Sequence, residues 1–245
     1  MTMLGFFLYA IIFVLPIFVT SMFHYDATQT GMLFIPGSLL TAMVMPFVGR
    51  QLSKRDPRVL IFIGLVAIEA FVFSLTRFTP QTSRGEILAS LYIRGFAMAF
   101  MFVPINSSIL SQFRGIELGQ VSGLLNLSRQ IGGSIGIALV ATLMTMKSHQ
   151  NYADLSMRVT MLNPVTQQFA QQVHGLSSTK MPKLVGAATP DETVKRIVYG
   201  KIQQQVFMLS FIQLVYMVGI IFLFAFIPTA LLKLRTRPAG AVDAH

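Results

Sequence analysis

The chain contains no cysteine. That excludes a disulfide framework, a thiolate metal site and a cysteine nucleophile, and it leaves the compartment unreadable from redox chemistry. Charge is nearly as scarce: only 11% of the 245 residues are Asp, Glu, Lys or Arg, where a soluble domain carries about 25%. The four histidines, His24, His149, His174 and His245, are scattered, so no metal site and no cofactor are expected. No His/Glu pattern on a helix and no pairing of nucleophile with base points to an enzyme or to catalytic residues. Also missing is any Lys or Arg ahead of the first apolar run. A signal peptide would open with a positive region and close at a small-residue cleavage site, so this run is expected to stay as a helix.

What the chain does hold is apolar: 53% of its residues are hydrophobic. They fall into six runs, each near the roughly 20 residues that cross a hydrocarbon core of about 30 Å. The pattern predicts an all-α integral membrane protein with spans at 3–23, 30–49, 59–76, 87–111, 121–146 and 205–232. Between the last two lies a long hydrophilic segment, 147–204, expected to be an extracytoplasmic loop with helical pieces. One such piece follows Asn163-Pro164. Another starts at Thr189-Pro190-Asp191-Glu192, with threonine as N-cap, proline at the first helical position and glutamate three after the cap. That helix is expected to run toward the last span, with Gly200 as its candidate break. The tail 233–245 is expected to be cytoplasmic and partly disordered.

The formal net charge is +10. The basic residues lie in connections between apolar runs and form no aromatic-studded basic face, so membrane lipid is the expected anionic neighbour and nucleic acid is not. Arg50, Lys54, Arg55, Arg58, Arg114, Lys233, Arg235 and Arg237 lie on one side of six alternating spans, whereas the short loops opposite hold only Arg77 and Arg84. The positive-inside rule then puts both termini in the cytoplasm; the seven basic residues of 147–204 are spread through a segment near the length at which the rule lapses.

Several polar residues lie inside spans, where ionisable groups are expensive and need a partner or water. Glu69 in the third span falls near the bilayer midplane, where a carboxyl is paired with a cation, protonated or set in water; were the chain a transporter, it would be the candidate for proton coupling. Arg94, Asn126, Arg129 and Gln213 are candidates for an intramembrane charge or cavity. At helical spacing Ser122, Asn126, Arg129, Gly133 and Gly136 share one face, and Leu124, Ile131, Ile135 and Leu139 make an apolar opposite face. Gly132 and Gly136 form G-x-x-x-G, which lets a neighbouring backbone come close, so Gly132, Gly133 and Gly136 are candidate packing positions.

The string Ser122-Gly123-Leu124, Asn126, Arg129-Gln130, Gly132-Gly133-Ser134-Ile135-Gly136 and Ala138 resembles the penultimate span of the fourteen-spanner drug:proton antiporters of the major facilitator superfamily, the EmrB/QacA type. Arg94-Gly95 followed by Pro104 is similar to another helix of that family. Gly49, Leu52, Arg55 and Arg58 resemble its cytoplasmic loop signature, with Ser53 where the signature has an acid and Pro57 where it has glycine. The resemblance implies the C-terminal six-helix bundle of the fold and a large external loop before the last span. It also implies a cell (inner) membrane location and export of hydrophobic, drug-like compounds against protons. It further implies a missing N-terminal bundle, and a periplasmic adaptor as a possible partner. The first span begins within two residues of Met1, and an incomplete or split chain is expected. A six-helix scaffold or accessory subunit without transport fits the composition equally well and stays open as the alternative.

Overall fold

The computed structural model describes residues 1–158 and 190–224. These residues form six α-helices and no strand: α1 Thr2–Phe23, α2 Ala27–Leu52, α3 Pro57–Thr76, α4 Arg84–Leu110, α5 Ile116–Arg158 and α6 Pro190–Leu223. All six are long and apolar enough to cross a membrane. The segment 159–189, with the helix expected after Asn163-Pro164, lies outside the described residues, as do positions 225–232 of the sixth expected span and the tail 233–245.

Polar caps set the helix ends, and they extend the helices beyond their hydrophobic limits. α2 begins at Ala27, three residues before the expected 30, because Asp26 accepts a hydrogen bond from the Gln29 backbone N–H at 2.7 Å while the Gln29 side chain returns to the Asp26 N–H. Ser83 and Glu86 make the same reciprocal box at the start of α4. Asp56 caps α3 through the Arg58 N–H at 3.1 Å, with Pro57 in the first turn, where its missing N–H costs nothing. α1 stops at His24, which takes the left-handed conformation at φ 53°.

Two limits differ more. α5 does not end at Met146; it continues to Arg158, because Lys147 to Arg158 contains neither proline nor glycine to stop it. The expected loop therefore opens with helix. α6 starts at Pro190 and passes Gly200 unbroken, since one glycine in a helix costs only about 1 kcal/mol and does not terminate it.

Only some of the main contacts join helices that follow one another in the chain. α1 packs chiefly on α5, α4 lies between α2 and α3, and α6 packs on both α3 and α5. Aromatic contacts tie this arrangement together. Phe18 of α1 stacks on Phe211 of α6 with ring centroids 4.2 Å apart, and Phe7 meets Phe222 at 4.3 Å and the edge of Phe71 at 6.4 Å. All five rings are fully buried. α2 and α5 are the open helices: 17% and 22% of their apolar windows are buried, against 44–56% in the others. On α2 the open stripe is Met32, Ile35, Leu39, Met43 and Phe47; on α5 it is Leu124, Leu127, Ile131 and Ile135.

Candidate functional site

The glycines of α5 set the geometry from which its arginine reaches the bundle. Cβ atoms at Gly132 and Gly136 would run into the α1 backbone at Thr2 and Phe6, and one at Gly133 into the Tyr9 ring. From the other side, a Cβ at Gly5 of α1 would overlap the backbone carbonyl of Arg129. The expected glycine face is thus the α1–α5 contact, a crossing at backbone distance that larger residues would prevent. The opposite face, Leu124, Ile131 and Ile135, is exposed, while Leu139 is half-buried.

Arg129 is held just beside this crossing. Its guanidinium lies over the Phe102 ring of α4, 4.8 Å from the centroid, and Nη2 donates to Asn106 Oδ1 at 3.4 Å. Asn106 is oriented for this: its own Nδ2 donates to the Phe102 carbonyl at 2.7 Å, which leaves the amide oxygen free to accept. Arg129 Nε is buried without a hydrogen-bond partner among the described residues. Asn126, one turn earlier, is exposed and does not join the cluster.

Arg94 occupies a separate place. It is buried in α4 with its guanidinium over the Phe34 ring of α2, 5.5 Å from the centroid, and its Nε is also without a hydrogen-bond partner. Here too glycines bring the backbones together: a Cβ at Gly37 would meet the Leu91 backbone, one at Gly95 would meet the Gly37 carbonyl, and Thr41 Oγ1 bridges the pair by donating to the carbonyls of Gly37 at 3.0 Å and Gly95 at 3.1 Å. Both arginines therefore rest on aromatic faces, where a cation–π contact replaces part of the lost hydration.

Glu69 is brought to neither of them. It lies half-buried on α3 in a row with Phe62, Val66 and Phe73, which are exposed, and it faces Gly219 of α6. Gln213 belongs to a further group that the sequence did not single out as a unit. Asn151, on the α5 extension, donates from Nδ2 to Ser210 Oγ at 2.9 Å and to Gln213 Oε1 at 3.3 Å, and Ser210 Oγ donates to the Val206 carbonyl at 2.7 Å. Asn151 and Ser210 are buried. A polar residue in each of two apolar helices was the available signal, but Asn151 lay in the segment read as a loop.

The connection carrying Gly49, Leu52, Arg55 and Arg58 is a tight turn in which the Arg55 N–H bonds back to the Gln51 carbonyl at 2.8 Å. Leu52 packs with Val48, Leu60 and Phe100, Gly49 and Arg55 are exposed, and Arg58 is half-buried. Among the described residues no three His, Cys, Asp or Glu side chains gather as a metal site would require.

Comparison with known proteins gives the following. The profile of the Major Facilitator Superfamily matches residues 1–137. The chain is 30% identical over 170 residues to the multidrug export protein EmrB of Escherichia coli, covering 69% of this chain and 33% of that protein. It is 26% identical over 195 residues to the uncharacterized MFS-type transporter YhcA of Bacillus subtilis, covering 80% and 36%. To the lincomycin resistance protein LmrB of Listeria monocytogenes it is 26% identical over 131 residues, covering 54% and 28%. The chain thus spans about a third of the length of the curated relatives it matches.

Proposed function

Because that profile covers more than half of its length, the chain belongs to the major facilitator superfamily, and we propose that it forms the C-terminal six-helix bundle of a proton-coupled exporter of hydrophobic, drug-like compounds. The names of the relatives EmrB and LmrB support the export of drugs. In this reading the open faces of α2 and α5 meet an N-terminal bundle supplied by further chain or by a second polypeptide. The substrate cavity then lies between the bundles near the bilayer midplane, as in other transporters built from repeats. Arg129, Arg94 and Asn126 are its candidate polar groups, and Glu69 is the candidate proton carrier. The bundle sits in the cell (inner) membrane with both termini in the cytoplasm, and a periplasmic adaptor is a candidate partner.

One observation carries this reading over that of an inert scaffold. Three ionisable groups lie within spans, yet Arg94 and Arg129 have aromatic rings and an amide for neighbours, and no ion pair joins Glu69 to either. At the centre of a span an arginine costs about 2.5–3.5 kcal/mol even on the lenient insertion scale, and Arg94 stands near the middle of α4. A scaffold gains nothing from carrying such charges without a counter-ion among the described residues, whereas a transporter uses them on water, protons and substrate. The test is proton flux in proteoliposomes made from the chain with and without a co-expressed N-terminal bundle. Drug-dependent flux with the partner is the expected result, and its absence in both preparations refutes the proposal.

A further inference from the structure

Where α3 gives way to α4, the two helices part around an open groove of about 540 Å³ whose character changes with depth. Ala70, Phe73, Ala89 and Ile93 line its deep part, and Arg77, Gln81, Thr82 and Glu86 line its mouth. Both walls start at the same level, because the Ser74–Ser90 hydroxyl contact fixes the register of α3 against α4. From Arg77 back to Ala70 and from Glu86 on to Ile93 are seven positions each, about 10 Å of rise. The mouth therefore sits where the connection leaves the membrane, and the walls descend into hydrocarbon. Two alanines make the trough: Ala70 and Ala89 are exposed on adjoining helices, in stripes whose other members are Val66, Phe73, Tyr92 and Phe96. The mouth is held in shape. Thr82 Oγ1 accepts the Thr79 N–H at 2.7 Å, the Thr82 N–H bonds back to the Thr79 carbonyl at 3.0 Å, and Phe78 is buried against Phe18 of α1 with ring centroids 5.6 Å apart.

Two opposite charges stand at this mouth, and no ion pair joins them among the described residues. The Arg77 guanidinium lies over the Phe73 ring, 4.7 Å from the centroid, and donates no hydrogen bond to a described residue. Glu86 Oε2 accepts the Ser83 N–H at 2.9 Å at the start of α4, and Oε1 accepts none among the described residues. Arg77 thus presents a planar fork of donors that matches a phosphate, and Glu86 an acceptor for an ammonium. Walls and mouth together select the ligand. A hydrophilic solute gains nothing from the apolar walls, and a wholly apolar molecule gives nothing to Arg77 and Glu86. An anionic phospholipid satisfies Arg77 but sets no cation against Glu86. A choline headgroup brings a cation that has no N–H to donate. A phospholipid with a primary ammonium meets every part of the groove: its phosphate takes the Arg77 donors, its ammonium donates to Glu86 Oε1, and an acyl chain lies along Ala70 and Ala89, where apolar surface is covered.

We propose that the α3–α4 groove is a binding site for phosphatidylethanolamine, with the phosphodiester on Arg77, the ammonium on Glu86 and one acyl chain in the trough of Ala70 and Ala89. The site does not rest on export, since a chain that transports nothing would still hold the lipid. The test is native mass spectrometry of the full chain, delipidated in detergent and then given equimolar phosphatidylethanolamine, phosphatidylcholine and phosphatidylglycerol. One phosphatidylethanolamine should be retained in about fivefold excess over either competitor, the upper end of what an exposed ion pair supplies. Glu86→Gln keeps the start of α4, because a glutamine oxygen also accepts the Ser83 N–H, and it should remove the preference over phosphatidylcholine. Arg77→Gln, which loses the phosphate contact, should lower the phosphatidylethanolamine adduct about fivefold. Ala89→Phe fills the trough and should lower it as far, with helix content by circular dichroism unchanged in all three variants. Glycerophosphoethanolamine, the same headgroup without acyl chains, should leave no adduct. Equal retention of the three lipids, a preference for phosphatidylglycerol, a preference that survives Glu86→Gln, or an adduct undiminished by Arg77→Gln or Ala89→Phe would each overturn the proposal. Retention of glycerophosphoethanolamine would overturn it too, since the groove would then be a site for a soluble headgroup and not for a lipid.

Discussion

Replacing Gly136 with alanine adds one methyl group at the point where α5 crosses α1. The new Cβ would stand 2.7 Å from the Phe6 carbonyl oxygen and 3.1 Å from the Phe6 Cα, whereas ordinary contact begins near 3.4 Å. Both obstacles are backbone and cannot rotate away, so α1 has to retreat by about 0.7 Å, a gap that forfeits roughly a quarter to a half of the dispersion energy of each atom pair it opens. Overpacking of this kind costs about 1–3 kcal/mol. Against it stands the gain in helix propensity on leaving glycine, about 0.8–1.0 kcal/mol. Gly123 lies on the same helix with nothing within 4 Å of its Cβ position, so Gly123→Ala collects the gain without the cost. The two variants should therefore differ by about 1–3 kcal/mol in the same host, with Gly136→Ala the less stable. Reversible unfolding in mixed micelles, followed by circular dichroism, measures the difference. Equal stability of the two variants would mean that α1 and α5 do not cross at backbone distance, and the geometry around Arg129 would fall with that contact.

Three other outcomes are expected. Asn151→Ala should destabilise the α5–α6 pair by about 0.6 kcal/mol per lost bond, the average for hydrogen bonds between membrane helices, and by no more than about 1.7; a double-mutant cycle with Ser210→Ala that shows no coupling would break the assigned pair. Arg129→Leu removes a costly charge, so membrane insertion should match the wild type, judged by the yield of protein extracted from membranes. Drug efflux by the assembled exporter should fall at least about tenfold, or about 1.4 kcal/mol, and normal efflux would exclude Arg129 from the mechanism. Because the chain has no cysteine, single replacements report topology: a membrane-impermeant maleimide applied to intact cells should label Gln81→Cys at once and Ser53→Cys only after the membrane is broken, and the reverse pattern would invert the proposed orientation.

The six spans were legible because hydrocarbon thickness and helix rise leave a long apolar run few alternatives. The crossing at Gly132, Gly133 and Gly136 was legible as a face, since spacing alone puts those glycines together. Its partner was not, because G-x-x-x-G says that a backbone comes close without saying which one. Hydropathy also stops short of helix ends: Asp26, Asp56 and Ser83 are polar, and they cap the helices that they seem to precede. The same blindness hid the continuation of α5 through Lys147 to Arg158, whose residues are hydrophilic but contain no helix breaker. For the ionisable groups, sequence gave depth and not direction. Arg94 and Arg129 settle on Phe34 and Phe102, two of 21 phenylalanines that composition cannot tell apart, and Glu69 lies half-buried at a seam that exists only because α6 returns to α3 from the far end of the chain.

The pairing of α1 with α5 also sets a timetable. Gly136 leaves the ribosome 130 residues after Phe6, the residue it packs against. At about 5–20 residues per second that is a wait of about 6–26 s, during which α1 sits in lipid without its principal partner while α3 and α4 can already pair as a hairpin. The composition suits this order. α1 is among the most apolar of the spans and stable in lipid unaccompanied, whereas α5 is the least apolar and arrives to find a surface waiting. Photocrosslinking from position 5 in stalled nascent chains should therefore capture lipid or the insertion machinery until the Gly132–Gly136 segment has emerged, and only then capture the chain itself.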